Sequence, residues 1–224
     1  MLRSLASSLT LLVLFSSIGC GPDIGDPATG SNDDLAGLLS QPVSLGIVPS
    51  ADGSVARVSA VVLHDGAVSD VEVVVTGGRL SLSLDDAGLR VDSLVVDAAD
   101  LSVGPAAMPP DGATLTGISV ALASPVEAAV DSASETEAVG EGGLPVTLSW
   151  AVQLEYGTVE LAPIRLPTLP FELSVELDDA GEIHAHLAAN QTGSFWNWAG
   201  IFELRDLALE LDASTGQVVP DQVD

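Results

Sequence analysis

The chain has 224 residues, with 32 Asp plus Glu against six Arg and no Lys, a formal net charge of −26 at pH 7. A charge of that sign and size excludes electrostatic attachment to nucleic acid or to anionic lipid head groups, and it fits a solvated exterior or a basic partner. Only 4% of the residues are aromatic and there is one cysteine, so an internal disulfide is excluded.

In chain order, the first element is Met1-Leu2-Arg3, followed by the apolar run Leu9, Leu11, Leu12, Val13, Leu14 and Phe15 and by Ser17-Ile18-Gly19-Cys20. A charged start, a short apolar core and small residues before a cut are the three parts of an export signal. That core is too short for a transmembrane helix, which needs about 20 apolar residues. Ile18-Gly19-Cys20 resembles the lipobox of bacterial lipoprotein precursors, although Ser17 stands where that family usually has Leu. The resemblance covers only this segment. It implies a signal peptide over 1–19 and lipidation of Cys20 as the first mature residue. Several acyl chains together make a stable anchor. Gly21, where an Asp in enterobacterial lipoproteins signals inner-membrane retention, implies the outer membrane. Residues 20–41, rich in Gly, Pro, Asp, Ser and Asn, are expected to form a flexible linker, with Asn32-Asp33-Asp34 able to cap one helical turn before Leu35, Leu38 and Leu39.

From Pro42 the pattern has period two. Val146, Leu148, Trp150, Val152 and Leu154 alternate with Thr147, Ser149, Ala151 and Gln153, and Phe171, Leu173, Val175 and Leu177 alternate with Glu172, Ser174 and Glu176. Such alternation marks strands with one buried face. Asp-Gly and Asp-Asp-Ala-Gly turns separate the runs. The expected fold is all-β, an antiparallel sandwich or barrel-like two-sheet domain of about eleven strands over 42–214. The strands fall near 43–48, 55–63, 67–76, 79–84, 89–96, 113–123, 145–156, 158–166, 170–177, 183–189 and 201–211. Residues 131–143 (DSASETEAVGEGG) are expected to be a mobile acidic loop, and 215–224 a polar tail. The prolines at 163, 167 and 170 mark an edge or a crossover between sheets.

Aligning the apolar residues on either side of Asp179-Ala180-Gly181 pairs Leu177 with Ile183, Val175 with Ala185 and Leu173 with Leu187. That register puts Glu176 opposite His184 and Ser174 opposite His186 on the other face. Two His and a carboxylate are a potential zinc-type ligand set, set against the simpler reading of a solvated cross-strand pair. Asp85, Asp86, Asp178 and Asp179 offer oxygen to calcium, but their spacing is not that of an EF-hand loop, and Asp in such turns usually bonds its own backbone. Phe195, Trp196 and Trp198 form the aromatic cluster of the chain. They follow Gln191-Thr192-Gly193-Ser194, a polar stretch able to cap a short helical turn before the final strand at Ile201, and are expected either to plug one end of the fold or to present an interaction surface. His64 lies in a turn.

GxSxG, HExxH, Walker A and GxGxxG motifs are all missing, so an enzyme is not expected. Three function classes remain: a non-catalytic binding or structural module of the cell envelope, a carrier of lipid or another apolar ligand between splayed sheets, or a metal- or calcium-dependent envelope protein. No cofactor is expected beyond the lipid on Cys20, and the membrane is the one partner implied.

Overall fold

Long apolar alternations become long strands here, and the length of those strands sets the architecture. The computed structural model describes residues 34–62, 66–85, 88–103, 112–155, 157–198, 200 and 202–217. A single helical turn, α1 (Leu35–Leu38), precedes fourteen strands: β1 (Val43–Ile47), β2 (Val55–Val62), β3 (Ala67–Asp85), β4 (Gly88–Ala98), β5 (Leu101–Val103), β6 (Ala113–Leu122), β7 (Val126–Ala133), β8 (Glu137–Leu144), β9 (Val146–Leu154), β10 (Gly157–Glu160), β11 (Ile164–Arg165), β12 (Leu169–Leu177), β13 (Ile183–Trp198) and β14 (Phe202–Ser214). All pairings between them are antiparallel and belong to one sheet. The domain is all-β, as its sequence pattern predicts.

At one end the sheet closes on itself. The ladder runs β1–β3–β4–β7–β8–β12–β13–β14 and returns to β1 through Gly46↔Ser214 and Ile47↔Ala213. Eight strands leave an interior just wide enough for side chains to fill. Leu45, Leu80, Leu82, Leu89, Leu173, Leu187 and Leu211 fill it, each fully buried. Closure also removes exposed strand edges over this half.

Toward the other end the strands diverge into two walls. One consists of the first half of β3, with β2, β14 and the second half of β13. The other consists of β5, β6 and β9, with β10 and β11 along the outer side of β9. Prolines mark the places where the chain passes between the barrel and the second wall: Pro125 before β7, Pro145 between β8 and β9, and Pro167 between β11 and β12. A proline removes a ladder donor and suits such corners. The expected crossover at the 163–170 proline cluster is this passage from β11, paired with β9, to β12, paired with β8.

Three segments differ from the sequence expectation. Residues 131–143 are not a mobile loop: β7 and β8 form a hairpin with a turn at Ser134–Thr136, and Ala138 and Gly140 face the core. Small residues carry no apolar period that a sequence reading can detect, yet they suit a crowded wall, because a Cβ on Gly142 would sit 2.8 Å from the Phe171 ring. No helical turn follows the polar stretch 191–194: residues 195–198 are strand. β13 runs through them, with register shifts at Gln191/Ser194 and Ser194/Trp196. Finally, residues 34–41 of the expected linker belong to the domain. The Asp34 carboxylate accepts from the Gly37 N–H at 2.6 Å as the helix cap. The Leu35 N–H donates to Glu135 O (2.9 Å), and the Leu84 N–H to Leu39 O (2.7 Å). Leu35 and Leu39, both fully buried, thereby stopper the closed end of the barrel.

Candidate functional site

The β12–β13 hairpin has the predicted register: Glu176 pairs with His184, Ser174 with His186, and Leu173, Val175 and Leu177 with Leu187, Ala185 and Ile183. Gly181 closes the turn at φ 81°, the left-handed conformation that the three-residue loop demands. The two imidazoles nevertheless find other carboxylates as partners. His184 Nε2 lies 3.1 Å from Asp178 Oδ2, and His186 Nδ1 lies 2.8 Å from Oδ1 of Asp212, its register partner on β14. Among the described residues the group with metal-ligand proximity is therefore Asp178, Glu182 and His184, whose ligand atoms all lie within 4.8 Å of one another, and not His184, His186 and Glu176.

All three of those side chains are exposed, and Asp178 already has a structural task. Its Oδ1 accepts from the Ala180 N–H (2.9 Å) and the Glu182 N–H (2.8 Å). The bond from the Glu182 amide and the His184 ring beside it hold the carboxyl below the usual Asp range. Asp85 acts similarly in the β3–β4 turn, accepting from the Gly88 N–H at 3.3 Å. Asp85 and Asp178 thus each commit one carboxylate oxygen to backbone amides, as local capping predicts. Asp86, His64 and Cys20 lie outside the described residues.

The aromatic cluster stands at the opposite end of the molecule. Its bulged stretch of β13 places Phe195 against the core and Trp196 edge-on to Trp150 of β9, with centroids 5.6 Å apart and planes at 89°. Trp150 is a partner the sequence reading missed, because the pairing joins two walls that share no ladder. Trp198 lies at the end of β13, paired in register with Phe202. All three tryptophans of the chain therefore belong to strand segments at the divergent end.

Beside the tryptophan contact, an apolar face runs out of the core into solvent. Cross-strand pairing puts Val159 opposite Val152 and Gly157 opposite Leu154, and the Leu161 N–H reaches Trp150 O at 3.4 Å. Paired residues share a face, so Leu154, Val159 and Leu161 lie on the core side of the second wall, together with Trp150 and the buried Val152. Yet they are 46%, 48% and 36% exposed. Leu115, Leu148 and Leu204, on the inner faces of the two walls, are half-buried, whereas the barrel leucines are sealed. An open groove of about 410 Å³ elsewhere, at Arg90, Glu127, Pro145 and Thr168, is mostly polar, and the Nε of Arg90 lies 3.0 Å from Asp92.

Fold and surface together define an all-β domain that is a filled barrel at one end and a pair of apolar walls at the other. No protein-family model, curated protein or solved structure matches the chain. No described helix is long and apolar enough to cross a membrane.

Proposed function

We propose that this protein is a non-catalytic binding module of the bacterial cell envelope, held at a membrane by lipid on Cys20 and making its contacts through the divergent, tryptophan-bearing end of the domain. The observation that carries this reading is the lip formed by Leu154, Val159 and Leu161. These apolar side chains face the core side of a wall but remain open to water. Contiguous exposed apolar surface beside aromatic side chains is characteristic of contact surfaces. The anchor is supported by the lipobox-like Ile18-Gly19-Cys20, and Gly21 favours the outer membrane.

A carrier of an apolar ligand is the second reading, favoured by the half-buried inner faces above the filled barrel. Both readings place the contact at the same end. The uncharged dye N-phenyl-1-naphthylamine tests that placement, because every tryptophan able to transfer excitation to it is located there. Dye emission on tryptophan excitation is expected, and Leu154→Glu with Val159→Glu should abolish it. Emission unchanged by these substitutions would remove the lip from the site. For the anchor, intact mass of protein from native membranes should show the chain from Cys20 plus an acyl-glyceryl adduct, lost in Cys20→Ala. An unmodified soluble chain would overturn it.

A further inference from the structure

We infer that the lip takes an extended peptide segment of alternating apolar and basic side chains, which adds to β10 as a further strand; this rests on the reading that the divergent end is the contact surface. Three observations converge on β10. It ends the strand order, pairing with β9 on one side and with no other described strand. Its residues Gly157 to Glu160 are exposed throughout. Its two faces differ in chemistry: Val159, followed by Leu161, continues the apolar face of Trp150 and Val152, while Thr158 and Glu160 lie on the other face with Gln153 and Ala151.

An added strand gains its affinity from main-chain hydrogen bonds and its selectivity from alternate side chains. Here the apolar residues of the incoming strand extend the Val159–Leu161 face. The intervening residues meet Glu160 on the other face, and the exposed Glu155 stands at the adjoining turn. With 32 acids and no lysine in the chain, the complementary charge is positive. Two alternative occupants fare worse. A second copy joined edge to edge would bring the glutamates of one lip against those of the other, and like charges facing across strands are destabilising. An anionic bilayer surface meets the same repulsion.

The test uses the full-length exported chain carrying Cys20→Ala, with fluorescein-labelled octapeptides of alternating Lys-Val and alternating Glu-Val read by anisotropy, and the naphthylamine dye read in parallel. The Lys-Val peptide is expected to bind and the Glu-Val peptide to bind at least about tenfold more weakly, with the difference shrinking as salt rises. Glu155→Lys with Glu160→Lys should reverse the order of the two peptides while leaving dye binding intact, a swap that misfolding does not imitate. Equal binding of the two peptides overturns the inference. So does binding of the dye alone, which retains the open-end contact but assigns it to an apolar small molecule. Self-association in sedimentation that Val159→Glu abolishes would assign the lip to a second copy. If neither dye nor peptide binds, the contact surface itself fails together with the inference.

Discussion

Asp178 divides its carboxylate between two tasks: Oδ1 caps the turn through two backbone amides, and Oδ2 faces His184. Because its pKa is lowered in the folded state, the stability it contributes is present above the ordinary Asp pKa and is lost as pH falls through the lowered value. Asp178→Ala should therefore reduce Tm at pH 7, and the gap from the parent protein should narrow on acidification below about pH 4. Thermal melts at pH 7 and pH 3 check this, and a gap that widens in acid would contradict the linkage. Gly78 is a second residue with a specific duty. Its φ is 146°, and an added Cβ would collide with the Val95 carbonyl oxygen where β3 bends. Gly78→Ala should cost about 2–4 kcal/mol in urea unfolding, from backbone strain plus steric displacement. The register that sets Glu176 against His184 follows from alternation and a three-residue loop, both local. The true partners do not. Asp212 reaches His186 across a hairpin whose register slips at Gln191/Ser194 and Ser194/Trp196, and no pattern in the sequence announces those bulges. Phe195 is turned to the core by the same slips, which is why the aromatics belong to a continuous strand and not to a separate turn.

At the scale of elements, strands with strong apolar alternation were readable nearly to their ends, and elements built of small residues were not. β9, β12 and the start of β13 carry an apolar residue at every second position and lie close to their expected bounds. The β7–β8 hairpin reads as a polar loop because glycine and alanine line much of its inner face, where neighbouring rings and strands leave no room for more. α1 is the converse case. One turn of helix is too short to be stable alone, so its order derives from tertiary contacts: Leu35 and Leu39 filling the barrel end, and backbone bonds to Glu135 and Leu84. Leu39→Ala should then destabilise the domain by about 2–4 kcal/mol, through lost transfer energy and the cavity left behind. Val130, exposed on β7, provides the control; its change to Ala should stay within about 0.5 kcal/mol. Equal effects for the two substitutions would mean that α1 is peripheral to folding and that the barrel end is sealed by other groups.

For the whole molecule, the decisive relation is between the point where the chain enters the domain and the end that bears the tryptophans. α1 and Leu39 dock where β3 ends, at Leu84, and at Glu135, whose neighbour Thr136 bonds Leu177 before the β12–β13 turn. From there β3 runs back to Ala67 and β13 runs forward to Trp198, and these distal ends are joined across the sheet by the pairs Ala67↔Val62, Val62↔Phe202 and Phe202↔Trp198. Sixteen residues of β13 at about 3.3 Å each set the entry point and the aromatic end as much as roughly 50 Å apart. On the proposed anchor, the segment 21–33 would reach at most about 45 Å if fully extended. Were Cys20 lipidated as proposed, that length would let the domain stand off the bilayer, entry of the chain at the closed end would favour an outward lip, and the acidic surface would oppose lying flat on anionic lipid. Lipidated protein in vesicles containing bromine-labelled acyl chains tests this directly, because bromine quenches only tryptophans within reach of the hydrocarbon. Emission should match that in unlabelled vesicles. Strong quenching would mean that Trp150, Trp196 or Trp198 enters the anchoring membrane itself, and the partner of the lip would then be lipid and not a basic strand beyond it.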